Sequence, residues 1–125
     1  MKLKTWMLVN TVVSAVFGLA LVLVPATFIR TYGVTAEAGI RYVGQVLGAC
    51  FLGNAVLFWF AKDAPVSETL MAICRAFFVF NGVALVVSLV AQLSGVINAV
   101  GWSSVVIYLL LGLGWAYFLR AKPAA

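Results

Sequence analysis

The sequence predicts an all-α membrane protein: a four-transmembrane-helix antiparallel bundle in one domain, with both termini cytoplasmic. Three observations predict it. Of 125 residues, 66% are hydrophobic and only 9% are charged, whereas a soluble domain carries about 25% charged residues to face water. Four apolar runs stand out, roughly Thr5–Phe28, Ala38–Ala61, Ser67–Ala91 and Ile97–Leu119, each long enough to cross about 30 Å of hydrocarbon as a helix. The connections between them are short, which makes sequence neighbours antiparallel. No run alternates polar and apolar residues as a barrel wall must.

The first run follows a basic "MKLK" start, and Val24-Pro25-Ala26 resembles a signal-peptide cleavage site. The apolar stretch from Trp6 to Val24 is 19 residues, longer than the usual apolar region of about 7–15, so it reads as a retained helix. Pro25 ends or kinks that helix. "RTYGVT" then provides a glycine turn at Gly33, and Thr35 can cap the second span. "AKDAPVSE" separates the second and third spans, with Pro65 tolerated in a first helical turn. "QLSGVINAVG" joins the third to the fourth without a charge. "GLALV" at Gly18 and "GVALV" at Gly82 form a weak internal echo, with a sequence content close to chance in so apolar a chain.

Orientation follows from the basic residues. Lys2, Lys4, Lys62, Arg120 and Lys122 share one side; Arg30 and Arg41 lie towards the other. This bias places both termini inside. Trp6, Trp59, Trp115 and Tyr117 are expected near the inner interface, and Tyr32, Tyr42 and Trp102 near the outer one. The net charge of +5 is explained by topology and anionic lipid. No basic tract interleaved with aromatics exists, so nucleic acid is not expected as a partner.

Lipid tails remove most of the hydrophobic drive between helices, so small residues and hydrogen bonds must hold the bundle. The first span offers Asn10, Ser14 and Gly18. The second offers Arg41, Gly44, Gln45 and Gly48, with Gly44 and Gly48 forming a GxxxG. The third offers Cys74, Phe78, Asn81, Leu85, Ser88 and Gln92; the fourth Ser104, Tyr108, Gly112 and Trp115.

Several chemistries are excluded. The chain has no histidine, which removes the commonest general base and metal ligand. Cys50 and Cys74 are isolated, with no C-x-x-C pair. The acids are Glu37, Asp63 and Glu68, in loops or first turns, whereas a proton-coupled carrier usually needs a carboxylate within the membrane. Small multidrug transporters share the length and helix number but carry a glutamate in their first helix, which is absent here. Paired carboxylates and a nucleophile–base pair are also missing. No cofactor and no catalytic residue are expected.

Two arginines within the spans require an explanation, because arginine costs about 2.5–3.5 kcal/mol at a helix centre and less near the ends. Arg41 heads the second span, one turn after Glu37, in the favourable acid-first i,i+4 order. Arg75 lies near the inner third of the third span. It reaches towards headgroups or holds a carbonyl, a lipid phosphate or an anionic ligand.

"LVPATFIRTYGV" followed by "RYVGQVLGACFLGNAVLFWFAK" resembles a broad group of small bacterial four-helix membrane proteins, loosely DoxX-like. Pro25, Phe28, Tyr32, Gly33, Arg41, Gly44 and Gly48 carry the resemblance, with "FNGVALV" from Phe80 and "NAVGW" from Asn98. A weaker likeness is to the small four-helix scaffold family of sterol biosynthesis. The resemblance implies an inner-membrane bundle and no reaction. The expected function is a non-catalytic accessory or scaffold subunit in the bacterial inner membrane. It would be surrounded by membrane lipids and would pack against a larger membrane protein or a second copy of itself. The alternative is binding or transport of a lipid, quinone or hydrophobic solute. The candidate partner or ligand contacts are Arg41, Gly44, Gln45, Gly48, Arg75 and Asn81.

Overall fold

In a computed structural model of the chain, residues 1–121 are described; Lys122, counted above among the basic residues, lies outside them. The described chain is all-helical: α1 (Leu3–Leu23), α2 (Pro25–Thr31), α3 (Ala38–Ala61), α4 (Glu68–Leu93) and α5 (Gly101–Ala121). α1, α3, α4 and α5 are each long and apolar enough to cross a membrane. This is the helix content that a four-helix membrane bundle requires. The chain divides into two compact units, Lys4–Lys62 and Met1–Leu3 with the segment from Asp63 onward.

Pro25 breaks the first span as expected, and the helix ends differ from expectation in three other places. The first predicted span is two helices. Pro25 has no N–H to return to Leu21 and instead occupies the first position of α2, where its fixed φ suits a helix start. α3 is capped by Glu37, not Thr35, and without a side-chain hydrogen bond. Pro65 precedes α4 rather than lying in it. Ser67 is the cap, its hydroxyl accepting from the Leu70 amide at 3.2 Å. The last span starts at Gly101 rather than Ile97 because Asn98 builds a turn: its side-chain oxygen accepts from the Val100 amide at 3.0 Å and its carbonyl from the Gly101 amide at 3.0 Å. Gly33 has the expected left-handed backbone, φ 77°. Gly95 has φ 73°, and the Val96 amide donates back to the Ala91 carbonyl at 3.1 Å, a Schellman closure of α4.

In the Lys4–Lys62 unit, α1 and α3 run antiparallel and meet at two glycines. A Cβ built on Gly48 would lie 2.9 Å from the Gly18 carbonyl oxygen and 2.8 Å from Leu21 Cβ. One built on Gly18 would lie 3.0 Å from the Gly48 carbonyl oxygen. The two backbones therefore touch reciprocally, which only glycine permits. Asn10, Ser14 and Gly18 are all buried, one small or polar residue per turn of α1. α2 lies against the head of α3: Ile29 Cδ1 would be 3.2 Å from a Cβ on Gly44. Phe28 of α2 packs edge-on against Phe17 of α1, with ring centroids 5.7 Å apart.

The second unit closes differently. α4 and α5 interdigitate through aromatic rings rather than glycines. Trp115 stacks on Phe77 at 5.8 Å, and Tyr108 meets Phe80 edge-on at 6.3 Å. Gly112 sits opposite Asn81, 3.6 Å from the Asn81 Cβ to a Cβ built on the glycine. Trp115 is fully buried, as its place on the packing stripe predicts, and Trp6 is buried as well. Phe78, assigned to the packing stripe, is 43% exposed. Its neighbour Phe77 takes the contact. Gly82, the echo of Gly18, has nothing within 4 Å of a built Cβ. Equivalent letters in the two strings occupy opposite environments.

These environments predict opposite outcomes for one substitution. Gly48→Ala is expected to destabilise the protein by about 1–3 kcal/mol, because its new methyl meets backbone and a Cβ that cannot rotate away. Gly82→Ala is expected to be neutral or up to about 1 kcal/mol stabilising. Thermal melting of both variants in the same detergent measures the contrast. An equal loss in the two would show that the α1–α3 glycine contact carries no stability.

Candidate functional site

The six candidate residues fall in two groups, each described within its own unit. Arg41, Gly44, Gln45 and Gly48 lie on α3. Arg75 and Asn81 lie on α4, in the other unit.

On α3, Gly44 and Gly48 are buried while Arg41 and Gln45 are exposed. The glycine surface touches its own chain: Gly44 faces Ile29 and Leu21, and Gly48 faces Leu21, Val22 and Gly18. Gln45 Nε2 donates to the Val22 carbonyl at 3.2 Å. That carbonyl belongs to the last turn of α1, where no intrahelical donor follows the break at Pro25. Sequence reasoning could have found this contact, because a proline inside an apolar span leaves carbonyls that another helix must satisfy.

Arg41 has no side-chain hydrogen bond and no ion pair among the described residues, and the same is true of Glu37. The expected Glu37–Arg41 pair is not made. Only their backbones bond, the Arg41 amide donating to the Glu37 carbonyl at 2.9 Å. Glu37, as the cap residue, has an extended backbone, φ −67° and ψ 160°, so it lies outside the helical register on which the i,i+4 pairing depends. Arg75 behaves in the opposite way. It pairs with Glu68 two turns earlier on α4, Nη1 to Oε2 at 3.6 Å, with both side chains largely exposed.

Asn81 lies midway along α4 and is 2% exposed. Its Nδ2 donates to the Phe77 carbonyl at 2.7 Å, and its Oδ1 is buried with no hydrogen-bond partner. Asn10 uses the same backward reach, Nδ2 to the Trp6 carbonyl at 2.9 Å, and Thr11 donates to the Met7 carbonyl at 2.8 Å. Asn10, Thr11 and Asn81 are thus each bonded to the carbonyl one turn back. Cys74 is buried and Cys50 exposed, both free thiols. Among the described residues no three His, Cys, Asp or Glu side chains gather as a metal site would require.

Comparison with protein-family models, with curated proteins and with solved structures finds no match to this chain. The geometry therefore defines only the class: a helical, multi-pass membrane protein.

Gln45→Leu is expected to cost about 0.6–1.7 kcal/mol, the range for hydrogen bonds between membrane helices. A double-mutant cycle on Glu37 and Arg41 is expected to give no coupling, whereas a cycle on Glu68 and Arg75 should give about 0.2–1 kcal/mol. Chemical denaturation of the detergent-solubilised variants reads all three. A measurable Glu37–Arg41 coupling would mean that the pair forms in solution.

Proposed function

We propose that this chain is a non-catalytic accessory or scaffold subunit of a bacterial inner membrane, loosely DoxX-like, with both termini cytoplasmic. It would pack against a larger membrane protein or a second copy of itself. One observation carries the reading: Asn10, Thr11 and Gln45 each donate to a backbone carbonyl of the same chain. Groups held in this way are satisfied within the chain and are not poised for chemistry. Two further facts support it. Gly53 on α3 and Gly82 on α4 are open, with nothing within 4 Å of a built Cβ, so another helix can approach the backbone there. Lys2, Lys4, Lys62 and Arg120 outnumber Arg30 and Arg41, a bias that the positive-inside rule turns into inward termini for an up-down-up-down chain.

A second reading is favoured by a single atom. Asn81 Oδ1 is a buried acceptor without a donor, a state that costs about 1–3 kcal/mol. A small hydrophobic molecule carrying a hydroxyl or N–H would relieve it.

Purification in mild detergent is expected to yield a larger membrane protein or a homo-oligomer with the chain. Gly53→Leu or Gly82→Leu should weaken that association without lowering the melting temperature of the isolated chain. A monomer free of co-purifying protein would remove the scaffold reading. Native mass spectrometry tests the second: a bound lipid-sized mass, lost in Asn81→Leu, would favour a ligand binder.

A further inference from the structure

Arg30 and Arg41 lie at the same end of the α1–α3 unit. Arg30 is in the last turn of α2 and Arg41 in the first turn of α3. Both are exposed, and neither has an ion pair or side-chain hydrogen bond among the described residues. Their proximity follows from the packing of α2. Ile29, adjacent to Arg30, fits the space left by Gly44, and Gly44 is one turn beyond Arg41. Chain and helix spacings then put the two Cα atoms on the order of 15 Å apart, a span that two long arginine side chains can close from both sides.

We propose that Arg30 and Arg41 together bind the phosphodiester headgroup of an anionic phospholipid in the adjoining leaflet. The site is independent of the scaffold reading and stands whether or not a protein partner exists. Three observations select this occupant. The first is charge: between the two cations the only acid is Glu37, whose side chain pairs with neither. The second is contrast within the chain. Arg75 is also exposed but has an ion-pair partner in Glu68 at 3.6 Å, so lack of a partner is not general to its arginines. The third is location. Tyr42, next to Arg41, is 68% exposed, and an exposed tyrosine beside a helix end fits the headgroup level of a bilayer. A guanidinium offers paired N–H donors that match phosphate oxygens. It is always charged, so this binding needs no protonation event.

The test uses the full chain in nanodiscs and in detergent. Lipid retained after delipidation is counted by native mass spectrometry, with phosphatidylglycerol and phosphatidylcholine offered in equal amounts. The wild-type chain is expected to retain phosphatidylglycerol preferentially. Arg30→Gln and Arg41→Gln should each weaken that retention about fivefold, the effect of one cation near an anionic surface. Arg75→Gln should leave it unchanged. Both α2 and α3 variants are exposed substitutions, and melting in phosphatidylcholine nanodiscs should match wild type. If Arg41→Gln does not fold, Arg30→Gln alone decides. Equal retention of the two lipids, or equal loss in Arg75→Gln, would overturn the proposal. So would equal thermal protection by inorganic phosphate, which would assign the site to a free anion.

Discussion

Backbone carbonyls in hydrocarbon have no water to bond, and this constraint organises the α1–α3 unit. Pro25 interrupts the first span and leaves the last carbonyls of α1 without helical donors. Gln45 answers at Val22. Its side chain reaches that carbonyl only if α3 runs close to α1, and the reciprocal contact of Gly18 and Gly48 provides that approach. The proline break, the glutamine and the glycine pair are therefore one device. Loss of the glycine contact would move α3 away and reopen the break.

The α4–α5 unit meets the same constraint at its loop. Gln92 Nε2 donates to the Asn98 carbonyl at 3.1 Å, and the Schellman closure at Gly95 satisfies the end of α4. The ends of the Gln92 and Ile97 side chains fill the space beside Gly101 and would have to shift for a Cβ there. Along the helices, rings fill the seam instead of glycines. Two hairpins of similar length and composition thus hold together by different physics: close backbone approach in one, aromatic dispersion and quadrupole contacts in the other.

The arginines show how position sets the role of one residue type. Arg75, two turns into α4, has an acid on its own helix. Arg30 and Arg41 flank a loop whose acid sits outside the helical register. Their charges remain available to groups outside the chain, as an interfacial cation's would be. The scaffold proposal and the lipid proposal therefore draw on separate surfaces, the open faces of α3 and α4 for one and the α2–α3 head for the other.

Composition and run length were enough to predict all-helical spans, because nothing else buries so apolar a chain. The left-handed turn at Gly33, the interruption at Pro25 and the burial of Asn10, Ser14, Gly18, Gly44 and Gly48 were legible for the same local reasons. Only the tertiary structure decided what those faces touch. Phe77 is indistinguishable from Phe78 by hydropathy, and Trp115 across the seam selects between them. Glu37 and Arg41 have ideal spacing for a pair, yet the helix starts one residue too late to use it. Spacing in a sequence determines which contacts a helix permits, and the ends and neighbours of that helix determine which are made.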